Sequence, residues 1–156
     1  MGRKKLPYKE GDWFAVPLRD GGYALGMAAR VDGEGGVIGY FFRPKYETLP
    51  TSDDIGNRRP EDAVFIANFG DLGFLEGTWK VVRSSVGWDR NKWPMPSFLR
   101  VDCITGKAIL VEYSENNLVH EVKNTPIDPI STHGLPEDGM WGSGAIEIHL
   151  TNLLSS

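Results

Sequence analysis

Two glycine-rich turns near the start of the chain, Asp20-Gly21-Gly22 and Asp32-Gly33-Glu34-Gly35-Gly36, limit how it can fold. Glycine adopts the positive φ angles that tight hairpin turns require, and aspartate commonly precedes it there. The turns separate three short apolar segments, Asp12–Leu18, Tyr23–Val31 and Val37–Phe42. Short apolar segments joined by such turns predict an antiparallel meander.

A second meander is predicted later in the chain, where short apolar segments again alternate with polar turns: Phe98–Cys103, Ala108–Tyr113 and Leu118–Val122. Three more segments have the composition of strands: Ala63–Phe69, Thr78–Arg83 and Ala145–Leu150. In the last of them Ile146, Ile148 and Leu150 alternate with polar residues, which is typical of a half-buried strand. Residues 52–57 are the only segment that we expect to form a helical turn.

These patterns predict a mainly β fold with little helix. We expect one domain over residues 1–156, built from two antiparallel meanders that form a partly open barrel or a strongly bent sheet. Residues 1–8 are expected to be a flexible N-terminal tail. A chain of 156 residues with 40% hydrophobic residues suffices for one core and leaves little material for a second.

The single cysteine, Cys103, cannot form an internal disulfide, which favours a reducing compartment. We expect it to lie buried in a strand as a small apolar residue. The basic start, Met1–Lys5, is not followed by the apolar run of a signal peptide. No segment is long and apolar enough to span a bilayer. The sequence therefore predicts a soluble cytoplasmic protein without a membrane partner.

Charge is unevenly distributed along the chain. The net charge is −4, with 15 Lys/Arg against 13 Asp/Glu in residues 1–100 and 2 against 8 in residues 101–156. Binding of phosphates requires clustered Lys and Arg, so the acidic last third argues against a nucleic-acid partner. The same charge can steer a basic partner toward this end, or it can simply form a solvated rim.

A search for catalytic motifs finds none. Gly33-Glu34-Gly35-Gly36 lacks the spacing of a nucleotide-binding loop, and Gly142-Ser143-Gly144 has Trp141 where a nucleophile elbow needs glycine. No helical pattern follows that serine in the sequence. The three histidines are too widely spaced for a paired-ligand metal motif. We therefore predict no catalytic residue, no metal and no cofactor.

A hydrolase remains as an alternative, because two carboxyl groups can act together once the fold sets their separation. Candidate pairs are Asp53 and Asp54, Glu61 and Asp62, and Glu137 and Asp138, with His133 as a further polar group.

The tryptophans fall into two classes. Trp13 and Trp79 lie in predicted strands and are expected in the core, whereas Trp88, Trp93 and Trp141 lie in connections rich in Gly and Pro. Tryptophans in loops either cap a core or anchor a partner, and exposed Trp beside Arg is typical of interfaces. The predicted partner-binding set combines these three with polar residues nearby: Trp88, Arg90, Trp93, Asp128, His133, Glu137, Asp138 and Trp141.

Several motifs, taken in order, resemble the immunity protein 26 family. The opening Lys9–Leu18 and Gly22–Gly26 are similar to the start of that family, and Gly77–Val82, Trp93–Phe98 and the closing segment Gly144–Leu150 are similar to its later signatures. The resemblance covers nearly the whole chain.

The resemblance implies a mainly β, non-catalytic protein. Members are encoded beside toxin genes in bacterial polymorphic toxin systems and protect the producer by binding the cognate toxin. Many such toxins are basic nucleases, which the acidic last third would suit.

A second hypothesis is an adaptor barrel that binds a peptide or nucleic acid. Its aromatic face would consist of Tyr23, Tyr40 and Phe41, with Arg58 and Arg59 beside it. The opposing interpretation is that these aromatic residues belong to the core.

Overall fold

The structure is a computed structural model that describes residues 5–84, 87–132 and 134–155. Within these ranges nine strands form two sheets, accompanied by three α-helices. The strands are β1 (Trp13–Pro17), β2 (Tyr23–Val31), β3 (Gly36–Tyr46), β4 (Phe65–Gly70), β5 (Lys80–Arg83), β6 (Phe98–Val101), β7 (Ala108–Ser114), β8 (Asn117–Ile127) and β9 (Met140–Trp141). The helices are α1 (Ser52–Ile55), α2 (Leu72–Leu75) and α3 (Ser143–Leu154). The predicted mainly β fold with open sheets is confirmed.

The first sheet has the strand order β5-β1-β2-β3-β4-β9. Its pairs are antiparallel except β4 with β9. The predicted meander of the first three strands is confirmed, and the turns between them contain glycines with positive φ, including Gly21 at 95° and Gly33 at 77°. A side chain with a Cβ adopts such angles only with strain, which explains why glycine stands at these turns.

The central strands of this sheet are buried on both faces. Alternate residues point to opposite sides, so each strand contributes to two separate apolar clusters. One face presents Phe14, Val16, Ala24, Ala28, Val37, Phe41, Ala67 and Phe69. The other presents Trp13, Leu25, Met27, Ala29, Tyr40 and Phe42. The sheet therefore needs an apolar cover on each side.

Helices α2 and α3 cover the first face, together with Tyr8 and Trp79. The predicted strand Ala145–Leu150 is wrong, because this segment lies in α3. Ile146, Leu150 and Leu154 are buried at intervals of one helical turn, whereas Ile148 is 50% exposed. Over six residues, the apolar side chains at every second position have the pattern of a strand. The four-residue spacing of a helix becomes visible only when Leu154 is included.

The second sheet has the order β6-β7-β8, so the second predicted meander is also confirmed. It packs on the first sheet through a small cluster of Ile38, Phe98 and Leu118. Strand β8 extends five residues beyond the predicted segment, to Ile127. Cys103 is exposed in the turn after β6, so the expectation of a buried strand position was wrong.

A buried guanidinium joins the two sheets. Arg30 on β2 is 1% exposed, and its Nη2 and Nε donate to the Glu115 carboxylate at 2.7 and 3.1 Å. Glu115 lies in the turn between β7 and β8. Arg30 also donates to the carbonyls of Ala29 and Arg90. A buried charge is tolerated only when it is paired and hydrogen-bonded, so the hairpin must hold Glu115 at this position.

Glu10 forms a second polar anchor beside it. Its carboxylate accepts two hydrogen bonds from Arg90, at 2.7 and 3.0 Å, and one from the Trp88 indole at 2.8 Å. Burial disfavours the charged form of Glu10, but the bonds from Arg90 and Trp88 outweigh it and lower the pKa of this carboxyl. The connection that follows β5 is thereby fixed to the segment that precedes β1.

The end of the expected N-terminal tail is ordered. Tyr8 is 4% exposed, stacks on Phe74 at 4.5 Å and donates a hydrogen bond to Asp71 at 2.7 Å. Leu6 packs against the same cluster, whereas residues 1–4 lie outside the described ranges. In the described part of the chain, helices long and apolar enough to cross a bilayer are absent.

Ile146→Ala should reduce the free energy of unfolding by about 2–4 kcal/mol, because it leaves a cavity under α3. The matched control Ile148→Ala should change it by less than about 0.5 kcal/mol, since that side chain is half exposed. Urea denaturation of both variants measures the difference. Equal losses would contradict the helical assignment.

Glu10→Gln should make stability less dependent on pH under acidic conditions. Because the folded-state pKa of Glu10 lies below its ordinary value of 4.5, the carboxylate stabilises the fold above pH 4.5. That contribution is lost as pH falls through the lower folded-state pKa. Urea midpoints measured from pH 7 downward should therefore decline less steeply in the variant than in the wild type. Glu76→Gln, at an exposed residue, is the control and should follow the wild type.

Candidate partner-binding surface

The structure divides the predicted partner-binding residues into two groups. Trp88, Arg90 and Trp93 lie in the connection between β5 and β6. Asp128, Glu137, Asp138 and Trp141 lie between the end of β8 and the start of α3. His133 lies outside the described residues. Trp88 and Trp93 line cavities that share no residue with the cavity lined by Glu137 and Trp141.

Trp93 closes the second face of the large sheet. It is 9% exposed, and its ring lies 5.3 Å from Tyr40, 5.7 Å from Trp13 and 6.0 Å from Phe42. The Tyr40 hydroxyl donates to the Pro94 carbonyl at 2.5 Å, which fixes the same segment. Most of Trp93 is therefore core, and only one margin of the ring reaches a cleft.

That cleft consists of two adjoining cavities of about 340 and 320 Å³. Arg58, Lys92 and Trp93 line both of them, and we call this site the Trp93 cleft. Arg83, Trp88 and Asp89 are further residues of the first cavity, and Arg59 and Glu61 of the second. Cations outnumber carboxylates in both cavities.

The polar groups of Arg90 and Trp88 are less available for a partner than the sequence predicted. The indole N–H of Trp88 and the guanidinium of Arg90 already donate to Glu10. Their principal role in the structure is to hold the connection between β5 and β6 in place.

Asp138 is held by internal contacts. Its carboxylate accepts hydrogen bonds from Arg100 Nε at 2.9 Å and from the Tyr113 hydroxyl. Hydrogen bonds to Glu121 and Asp138 raise the pKa of Arg100 above its ordinary value. Burial, followed by the bond to Asp138, raises the pKa of Tyr113 to about 12. Asp138 thus connects residues 136–138 to strands β6 and β7.

Glu137 differs from its neighbour. The Leu99 N–H donates to the Pro136 carbonyl and the Asp138 N–H donates to the Leu99 carbonyl, at 2.8 Å each. Successive side chains alternate in direction along such an extended segment, so the Glu137 side chain points away from the side that Asp138 faces. The Glu137 side chain is exposed and makes no ion pair in the described part of the chain. Of the two adjacent carboxylates, this one is free to meet a partner.

Glu137 and Trp141 line the same groove, which has a volume of about 370 Å³. The start of β4 forms one wall and residues 134–137 the other, with His149 of α3 at one end. We call this the Trp141 groove. Phe65, Trp141 and His149 form its aromatic cluster, with ring centroids 4.4 to 5.2 Å apart.

The sequence does not identify Phe65 and His149 as members of this groove. As a polar residue of the predicted strand Ala145–Leu150, His149 is expected on the solvent side, whereas the helix directs it toward Phe65. Asp128, by contrast, is exposed and accepts a hydrogen bond from the backbone N–H of Ile130 at 3.0 Å, so it caps its own turn.

The alternative hypotheses receive little support from the described residues. Tyr40 and Phe41 are 3% and 0% exposed, so two of the three aromatic residues of the predicted platform are core, whereas Tyr23 is partly buried. A helix does begin at Ser143, contrary to expectation, but this serine makes no hydrogen bond to a histidine in the described ranges. Among those residues, clusters of three or more metal-ligating side chains are absent.

One member of each carboxylate pair serves the local fold. Asp54 and Asp62 accept hydrogen bonds from the backbone N–H groups of Thr51 and Arg59, at 2.7 and 2.9 Å. Asp138 is bound to Arg100 as described. The pairs are therefore arranged as turn and strand contacts.

Comparison with known proteins gives one match. The family model described as immunity protein 26 matches residues 9–109, which is more than half of the chain. The match includes β1 to β6 and every lining residue of the Trp93 cleft. Neither the curated proteins nor the solved structures give a match. By its sequence over β1 to β6, the chain belongs to the immunity protein 26 family.

Proposed function

We propose that this protein binds and neutralises a cognate bacterial toxin of a polymorphic toxin system. It would act in the cytoplasm of the producing cell by occupying a surface of the toxin, without catalysing a reaction. The family match over residues 9–109 is the observation that carries this proposal.

The Trp141 groove suits one part of such an interface. Tight complexes place aromatic anchors at the centre of a contact and polar groups around it. Trp141 is partly exposed beside Phe65 and His149, and the unpaired Glu137 stands at the rim. A stable protein complex covers about 800 Å² on each partner, so the contact must extend beyond the groove to exposed residues such as Asp128.

The acidic last third supports a basic contact surface on the toxin around this groove. Residues 101–156 contain 8 Asp/Glu and 2 Lys/Arg. Complementary charge mainly accelerates association and fixes orientation. A basic nuclease is one class of toxin that would present such a surface.

The direct test uses the product of the gene beside that of this protein. The tagged protein should capture it in a pull-down, and co-expression should restore growth to cells that the neighbour alone kills. A neighbour that is harmless, or that is not bound, would overturn the proposal. A bound neighbour whose toxicity persists would overturn the neutralisation claim.

Glu137→Lys should slow association with the toxin by about three- to tenfold at low salt and reduce its salt dependence, because it reverses a rim charge. Glu76→Lys makes the same charge change at an exposed residue of the turn after α2 and should leave association within about twofold. Stopped-flow or surface-binding kinetics at two salt concentrations provide the measurement. Unchanged rates for Glu137→Lys would show that the Trp141 groove is not the docking surface.

A further inference from the structure

The Trp93 cleft contains cations that no carboxylate neutralises. Arg58 donates to the carbonyls of Asp54, Ile55 and Arg43 and to the Tyr46 hydroxyl, so it is held firmly but keeps its charge. Carbonyls and phenols are neutral acceptors, and the guanidinium therefore remains a source of positive potential at the cleft.

Two exposed cations reinforce that potential. Arg83 and Lys92 are exposed at the cleft and make no ion pair within the described residues. The two carboxylates nearby are already engaged. Asp89 accepts the backbone N–H of Asn91 at 3.0 Å, and Glu61 lies 3.5 Å from Arg59. The cleft thus has a net positive charge in a protein whose total charge is −4.

A neutral donor at the cleft also lacks an acceptor. Trp93 is more than nine-tenths buried, yet its indole N–H makes no hydrogen bond with any described residue. Among the described residues, the fully buried side-chain atoms without a hydrogen bond are Asp12 Oδ1 and Asn68 Oδ1, so the Trp93 nitrogen is not sealed inside the core. Trp93 lines the cleft, and a ligand bound there can accept a hydrogen bond from its indole N–H.

We propose that the Trp93 cleft binds a carboxylate side chain from an acidic segment of the toxin. Arg58, Arg83 and Lys92 would supply the positive potential, and the Trp93 N–H a directed hydrogen bond to one oxygen. Carboxylates accept several such bonds at once, and charge-assisted bonds are the strong ones. The partner's identity rests on the proposed function, whereas the chemistry of the cleft does not.

A protein carboxylate fits this cleft better than a nucleic acid does. Stable binding of nucleic acid uses a long basic track, typically about 6–10 phosphate contacts. Here three cations without an ion pair among the described residues line one open cleft, and the net charge of the chain opposes a polyanion. The cationic cleft and Glu137 at the Trp141 groove would then contact groups of opposite charge on the toxin and so define its orientation.

The test compares two double charge reversals. Arg83→Glu with Lys92→Glu alters the cleft, whereas Lys107→Glu with Lys123→Glu makes the same charge change at two exposed residues, one in the turn before β7 and one on β8. Trp93→Phe removes the indole N–H and keeps an aromatic ring in the core. Urea denaturation establishes that each variant is folded before binding is measured.

Two probes are used at low salt: a glutamate-rich peptide, followed by tryptophan fluorescence, and the toxin itself. The cleft variant should bind both at least about tenfold more weakly, and Trp93→Phe about threefold more weakly. The matched control should lose no more than about threefold. A single-stranded oligonucleotide of equal charge should bind more weakly than the peptide.

Equal losses in the cleft variant and its control, or preference for the oligonucleotide, would overturn the inference. If the toxin binds every variant equally, the inference fails while the proposed function stands. If the wild type does not bind the toxin but the peptide still distinguishes the variants, the proposed function fails and the carboxylate site stands.

Discussion

Burial of the central strands on both faces is the constraint on which the rest of this structure depends. Strands β1, β2 and β3 direct large apolar side chains to both sides of one sheet, so neither side can face water without a large free-energy cost. Helices α2 and α3 cover one side. The connection that contains Trp93 and the second sheet cover the other. Every candidate contact surface lies where one of these covers meets the sheet.

Polar contacts fix the second sheet and the connection after β5 in place, because the apolar cluster between the two sheets is small. Three buried residues, Ile38, Phe98 and Leu118, form the cluster between the sheets. The pairing of Arg30 with Glu115 and of Glu10 with Arg90 therefore sets the position of the β7–β8 hairpin and of the connection after β5. Hydrogen-bonded pairs of arginine with carboxylate contribute geometric specificity as well as stability.

Two acidic residues, and likewise two tryptophans, have different roles in the folded protein. Asp138 holds Arg100 and Tyr113, whereas its neighbour Glu137 faces a groove. Trp93 is largely core, and Trp141 is partly exposed beside Phe65 and His149. The basic Trp93 cleft is separate from the Trp141 groove, whose lining contains one carboxylate, Glu137. Two separate surfaces of different charge can specify the orientation of a partner as well as its identity.

The sequence by itself determined the two meanders, because glycine turns and short apolar segments act locally, and it determined the family. It also predicted that loop tryptophans and nearby charged residues form a contact surface, which stays a prediction. It misassigned Ala145–Leu150 and Cys103, since a six-residue window cannot separate the two periodicities and burial depends on distant neighbours. Only the tertiary structure decided which carboxylate was free, which tryptophan was core and which cations stayed unpaired. Each of these depends on contacts between residues far apart in the chain, such as Glu10 with Arg90 and Asp138 with Arg100.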